Sequence, residues 1–244
     1  MKPDAVTIAV DGVQPVPGLL LRPPAASACY VMAHGAGAGM HHAFMAACAD
    51  ELAELGIATL RFQFPYMERG SKRTDPPATC HATVRAAVDC ARSLCDSIPL
   101  IAGGRSFGGR MTSQAQALEP LPGVLGLAFL GFPLHPPRKP SEARASHLDD
   151  VDVPMLFLQG TRDELASLAL LHCVVDRLGP RATLHLVQDA DHSFHVPARS
   201  GRTDPEIRRH LLQVLRDWSI ALVAAHVQPD ATNHPPTQPR SIRR

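Results

Sequence analysis

Gly104-Arg105-Ser106-Phe107-Gly108 follows the apolar run Leu100–Gly103 and precedes a helical stretch carrying Met111, Ala115 and Leu118. A G-x-S-x-G string alone says little, because glycine and serine are common. Placed between a strand and a helix it has a mechanism. The chain must turn sharply there with the serine in strained backbone geometry, and the flanking glycines let neighbouring backbone approach without a Cβ clash. Such a turn lifts the Ser106 hydroxyl above the carboxyl edge of a parallel sheet, where ligands bind in open α/β folds. The helix that follows turns its N-terminus, favourable to developing negative charge, toward the same point.

On either side of this turn, short apolar runs alternate with helical patterns. The strand candidates are Ala28–Ala33, Ile57–Phe62, Leu100–Gly103, Val124–Leu130, Pro154–Gln159 and Thr183–Val187, each without internal polar alternation, as expected of strands covered on both faces. Val84, Ala87, Val88, Ala91, Leu94 and Cys95 follow helical spacing, as do Leu168, Leu171, Val175 and Leu178, and later Ile207, Leu211, Val214, Trp218 and Leu222. Asp75 before Pro76 and Asp204 before Pro205 read as N-caps with proline at the first helical position, and Glu164 reads as the start of a helix. Val6–Val10 and Leu19–Arg22, separated by a turn at Gly12 to Pro17-Gly18, read as an antiparallel pair at a sheet edge. The whole predicts an α/β fold: a mainly parallel, twisted sheet of about eight strands with helices on both faces.

A serine hydroxyl is a poor nucleophile at neutral pH and needs a base within hydrogen-bond reach. The run Thr183–Val187 is followed by Gln188-Asp189-Ala190-Asp191-His192-Ser193-Phe194-His195. His192, close behind the strand and preceded by short polar turn residues, is the choice for that base, with His195 its rival. The histidine in turn needs a carboxylate to hold its tautomer and stabilise the imidazolium. Gly160-Thr161-Arg162-Asp163 supplies Asp163 just past a strand, whereas Gly131-Phe132-Pro133-Leu134 carries no acid and Asp149, Asp150 and Asp152 precede their strand on the wrong edge. The order Ser106, Asp163, His192 is the order that strand–turn–helix serine sites use.

Acyl transfer also needs donors for an oxyanion. One is expected to be the backbone N–H of Phe107. The other should lie in His34-Gly35-Ala36-Gly37-Ala38-Gly39, whose small residues bare the backbone; Ala36 is favoured and Gly37 is the runner-up. The P-loop lysine and the dinucleotide spacing are both missing from this run.

These stretches, with Arg61-Phe62-Gln63-Phe64-Pro65-Tyr66, Gly131-Phe132-Pro133-Leu134-His135-Pro136 and Asp191-His192-Ser193-Phe194-His195-Val196-Pro197, together resemble one family over roughly Val16 to Leu222. It is the α/β-hydrolase family that includes a scaffold subunit of the NSL histone acetyltransferase complex, the testis-expressed hydrolase-like proteins and small bacterial relatives. The chain is similar, more distantly, to the dienelactone-hydrolase group. The resemblance implies the α/β-hydrolase fold and a Ser106–Asp163–His192 catalytic triad, without defining a substrate. The dienelactone group uses cysteine where this chain has Ser106. The stretch between Gly131 and Val153, where many lipases insert a lid, has room for at most one small helix, so minimal or no lid is expected and the site should be open.

Other residues near these motifs have two readings each. Arg105 and Arg110 flank the turn, either to hold a substrate carboxylate or phosphate or to form structural ion pairs beneath it. Tyr66 and Met67 lie past a strand, either lining a pocket or packing at its rim. Gly37, Tyr66 and Arg105 are therefore candidate substrate-binding residues. His34, His41 and His42 have poor ligand spacing, so no metal and no other cofactor is expected.

Composition narrows the classes. The chain has 244 residues, 45% of them apolar and 19% charged, with a formal net charge of +1. That fits one globular domain and gives no field to attract nucleic acid or an anionic membrane. The 6 cysteines form no C-x-x-C pair and most sit in apolar stretches, as reduced core thiols do. No run approaches the ~20 apolar residues of a membrane span, and no long apolar run follows Met1-Lys2-Pro3-Asp4, so no signal peptide is expected. A hydrolase domain over residues 1–226, a disordered proline-rich tail over 227–244, a cytoplasmic setting and a monomer or homodimer are expected. Two functions stay open: an esterase-type hydrolase acting on a small acyl substrate, or a hydrolase-fold scaffold with little activity.

Overall fold

The runs lacking polar alternation are strands covered from both sides: every residue of β3 (Ala28–Ala33) and of β4 (Ile57–Phe62) is buried. In β3, Cys29, Val31 and Ala33 enter one core while Ala28, Tyr30 and Met32 enter a second on the opposite face. The computed structural model describes residues 1–227. The remaining strands are β1 (Asp4–Ile8), β2 (Val16–Leu21), β5 (Leu100–Arg105), β6 (Val124–Leu130), β7 (Met155–Gly160) and β8 (Ala182–Val187). The helices are α1 (Ala43–Glu54), α2 (Pro65–Glu68), α3 (Pro77–Leu94), α4 (Phe107–Leu118), α5 (Leu168–Leu178) and α6 (Asp204–Val227). Among the described residues no helix is long and apolar enough to cross a membrane.

All strands join one 8-stranded sheet in the order β1-β2-β4-β3-β5-β6-β7-β8. Only β2 runs against the others, paired antiparallel to β1 and β4. Helices α1 and α6 cover one face through Met45, Cys48, Leu52, Ile207, Leu211 and Leu215. Helices α3, α4 and α5 cover the other through Val84, Ala87, Met111, Ala115, Leu171 and Val174. The chain goes from β3 outward to β4, then returns to place β5 on the other side of β3. That reversal opens a crevice at the carboxyl ends of β3 and β5, where open α/β sheets hold their ligands. Between β6 and β7 there is only a 3₁₀ helix, Ala143–Asp150, and among the described residues no lid covers this edge.

Several boundaries differ from the sequence expectation. Pro17 and Gly18 belong to β2, paired with Thr7 and Val6, instead of to the preceding turn. A Cβ on Gly18 would lie 2.9 Å from Val6 Cγ2, so a larger residue there would push on the β1 side chains. Asp75 caps nothing: α3 starts one residue later, with Pro76 as N-cap, and the Asp75 carboxylate accepts the Tyr66 N–H at 2.7 Å and pairs with Arg69. Glu164 lies in a turn, and α5 is capped by Ser167. Val227, expected in the tail, is the last residue of α6, and the tail expected beyond it lies outside the described residues.

Asp204 is the first residue of α6 and not its cap. Thr203 N donates to Glu206 Oε2 at 2.7 Å while Glu206 N donates to Thr203 Oγ1 at 3.4 Å. This reciprocal pair is a capping box, which satisfies two helix-end donors at once. Thr203→Ala should lower the unfolding free energy by about 1 kcal/mol in urea titration; an unchanged midpoint would show that the box contributes nothing.

Candidate active site

Close backbone packing fixes the turn at Ser106. A Cβ on Gly104 would lie 2.1 Å from Ala33 O, and one on Gly108 would lie 2.5 Å from the same oxygen. Only glycine lets the end of β5 and the start of α4 press this tightly on β3. Between them Ser106 takes φ 48° and ψ −114°, a region costly for any residue with a Cβ. Its N–H is anchored to Leu130 O at 3.2 Å, so the neighbouring strand β6 helps hold the strain.

The loop after β8 delivers His192. Asp191 organises it: its Oδ1 accepts the N–H groups of Ser193 at 2.7 Å and His195 at 3.0 Å, while its own N–H donates to His195 O at 3.0 Å. Phe194, buried and stacked on Phe44, anchors the loop to the core. The imidazole rests against the backbone of Gly131, where a Cβ would stand 3.5 Å from its Cε1. His192 Nε2 lies 2.9 Å from Ser106 Oγ, and Nδ1 lies 2.7 Å from Asp163 Oδ2. With Nδ1–H directed at a carboxylate, Nε2 is left to accept the Ser106 hydroxyl proton.

Asp163 is 6% exposed and sits on a turn tied to the β8 exit by Thr161 N to Val187 O at 3.0 Å and Arg162 N to Ala190 O at 2.9 Å. Its Oδ1 accepts Leu165 N–H at 2.8 Å. Its Oδ2 accepts both His192 and the side-chain amide of Gln159. His195 points elsewhere, to Asp204 Oδ2 at 2.8 Å, and that carboxylate raises it above the ordinary histidine value.

The loop after β3 runs beside the turn: a Cβ on Gly35 would lie 3.9 Å from Ser106 Cβ. Residues Gly35 to Ala38 form a tight turn closed by Ala38 N to Gly35 O at 3.2 Å, with Ala36 and Gly37 exposed. Gly37 N–H donates to Tyr66 Oη at 3.1 Å, whereas Ala36 N–H and Phe107 N–H have no acceptor among the described residues. Phe107 opens α4, where the first amides have no intrahelical partner.

Tyr66 is fully buried among His34, Phe64 and Phe107, so it supports this loop from behind and does not line an open pocket. Arg105 lies under the His192 loop, its Nη2 donating to His192 O at 3.3 Å and its guanidinium 4.4 Å from the centre of the Phe44 ring. Neither Arg105 nor Arg110 has a carboxylate in salt-bridge range among the described residues, and burial pushes both guanidiniums down from their ordinary value. Both are thus without the ion pairs that one sequence reading gave them. A recess of about 390 Å³, lined by Arg162, Glu164, Leu165, Asp191 and His192, opens beside the imidazole.

With this geometry in view, comparison with known proteins gives a clear answer on family. Residues 26–219 match the family described as the alpha/beta hydrolase domain. The chain belongs to that family. Solved structures of similar fold include a lidless α/β serine hydrolase from Xanthomonas campestris, at 23% identity and TM-score 0.69 over 89% of this chain and 95% of that one. A dienelactone hydrolase from Anabaena variabilis matches at 21% identity and TM-score 0.74 over 90% and 97%. Est1E from Butyrivibrio proteoclasticus matches at 18% identity and TM-score 0.67 over 89% and 99%. At these identities the likeness is one of fold.

This alpha/beta hydrolase domain contains site residues whose roles the sequence did not announce. His34 is one. It is buried, its Nε2 accepts Phe64 N–H at 3.1 Å, and its Nδ1 therefore carries the proton that reaches Gly35 O at 2.8 Å. His135 repeats the device, with Nδ1 2.9 Å from Pro136 O and Nε2 accepting Ser167 N–H at 3.0 Å. Each ring stitches one carboxyl-edge loop to another. Gln159 is the third; its only sequence signal is an amide inside an apolar strand.

Burial pushes His34 down from 6.5 to about 4. The unfolded chain therefore takes up this proton first as pH falls, so the stabilisation is complete above pH 6.5 and lost on the way to pH 4. The difference in unfolding free energy between the native chain and His34→Gln should be constant above pH 6.5 and shrink by about 3 kcal/mol by pH 4. A difference that stays flat down to pH 4 would mean that the ring is open to water.

Proposed function

We propose that the protein is a serine hydrolase of carboxylesterase type that cleaves small esters or thioesters through an acyl-Ser106 intermediate. The observation that carries this is the continuous relay Ser106 Oγ–His192 Nε2, 2.9 Å, and His192 Nδ1–Asp163 Oδ2, 2.7 Å, ending on a serine of positive φ. In the first half-reaction Ser106 Oγ attacks the acyl carbon and its proton passes to His192 Nε2. The tetrahedral oxyanion lies between the N–H groups of Ala36 and Phe107, neither of which has an acceptor among the described residues. The occupied Gly37 N–H supports Ala36 over its neighbour. Asp163 stabilises the imidazolium, which then protonates the leaving group as the carbon–oxygen or carbon–sulfur bond breaks. Water, deprotonated by His192, attacks the acyl-enzyme, and the proton returns to Ser106 Oγ as the acid leaves.

The open edge between β6 and β7 supports short or solvent-exposed acyl groups. The narrower kinship with the NSL-subunit and testis-expressed hydrolase-like proteins belongs to this proposal, as does a cytoplasmic setting. The latter is supported by the free thiols of all six cysteines.

Labelling by a fluorophosphonate probe should occur in the native chain and vanish in Ser106→Ala. His192→Ala should slow hydrolysis of p-nitrophenyl acetate by at least about 1,000-fold. Among p-nitrophenyl esters the rate should fall as the acyl chain lengthens. No Ser106-dependent labelling in the folded protein would instead mark a hydrolase-fold binding protein, and a preference for long acyl chains would contradict the lidless site.

A further inference from the structure

Gln159 sits one residue from the end of β7 with no exposed surface, in a strand whose other side chains are apolar. A buried primary amide needs partners at both ends, because each unmet group costs its full desolvation. Both ends are met. Gln159 Oε1 accepts Phe132 N–H at 2.9 Å, and Nε2 donates to Asp163 Oδ2. The orientation of the amide is not a free choice. A backbone N–H can only donate, so the oxygen must face Phe132 and the nitrogen must face Asp163.

The two partners belong to different parts of the relay. Phe132 follows Gly131, the residue on which the His192 ring rests. Asp163 Oδ2 is the same oxygen that accepts His192 Nδ1–H. One side chain thus sets the position of the acid relative to the platform under the base. It also supplies a neutral donor to the carboxylate oxygen that holds the imidazole proton.

We propose that Gln159 is a positioning residue for the Ser106–His192–Asp163 relay: it locks the Asp163 carboxylate in the orientation that receives Nδ1–H and shares the charge of Oδ2 with that proton. The inference rests on the hydrolase reading of the site. Gln159 has no exposed surface with which to touch a substrate.

The charge sharing has a sign. Removing the amide donor leaves more of the negative charge of Oδ2 for the imidazole proton, so His192 holds that proton more tightly. Gln159→Met keeps the length and fills the strand while deleting both hydrogen bonds. Gln159→Leu is the second variant should methionine fail to fold. The rate of Ser106 labelling by a fluorophosphonate is measured against pH in the native chain and the variant, with ester kcat and KM alongside. In the native chain, exchange of the Gln159 side-chain amide protons is followed by NMR.

The acid limb of the labelling profile should move to higher pH by about half a unit or more in the variant, with kcat reduced and KM unchanged. The native amide should be protected from exchange by on the order of 100-fold or more. A folded variant labelled more slowly by the same factor at every pH would show a packing role alone and overturn the proposal. So would an amide that exchanges like free glutamine. A native chain unlabelled at Ser106 at every pH would remove the hydrolase reading itself, and this inference with it, whatever the exchange shows.

Discussion

Backbone meets backbone without intervening side chains where β5 gives way to α4. Gly104 and Gly108 both lie so near Ala33 O that no Cβ fits. The peptide between them has no room to relax, and Ser106 is held at a positive φ that an unconstrained serine would leave. The cost of that conformation, about 1–3 kcal/mol, is offset by the packing of strands β3, β5 and β6 around it. Everything else at the site is arranged relative to this fixed hydroxyl. The Gly35 loop lies against it, the β6 exit accepts its N–H through Leu130 O, and the β8 loop brings an imidazole to it.

The loops that meet there follow strands β3, β4, β6, β7 and β8 and share no regular secondary structure. They are joined by buried polar side chains placed among apolar ones. His34 ties the β3 loop to the β4 exit, His135 ties the β6 exit to the turn after β7, and Gln159 ties that exit to Asp163. Tyr66 supports the Gly37 amide from below. Each group is desolvated, so each is costly unless paired, and each has one geometry in which it is paired. Buried hydrogen bonds of this kind contribute modestly to stability and strongly to uniqueness of structure. That suits a site in which Ser106 and His192 must stay within hydrogen-bond reach of each other.

Much of this was legible in the chain. The apolar runs at β3, β4, β6 and β7 could be read because burial on both faces removes polar alternation. The turn at Ser106 could be read because close backbone approach demands glycine. The helix starts were less legible: Asp75 and Asp204 look like caps by residue type, yet the caps are Pro76 and, in the capping box, Thr203. Local preference favours the aspartates as caps, but tertiary contacts to Tyr66 and His195 claim both carboxylates. For Arg105 and Tyr66 the chain left two readings each, and packing puts Tyr66 behind the Gly37 loop and Arg105 under the His192 loop. A residue number gives adjacency along the chain and leaves the direction of a long side chain to its packing.

By itself the sequence determined the alternation of strands and helices, the single sheet they imply and the sharp turn that presents Ser106, since these follow from periodicity and from where a Cβ can be tolerated. It offered two histidines, favouring His192 for its place close behind a strand and leaving His195 as its rival. Only the tertiary structure decided between them, setting His192 against Ser106 and sending His195 to Asp204. The reason is that the two lie three positions apart on one irregular loop. Its course is set by Asp191, the buried Phe194 and the platform at Gly131, and these contacts form only when distant strands come together.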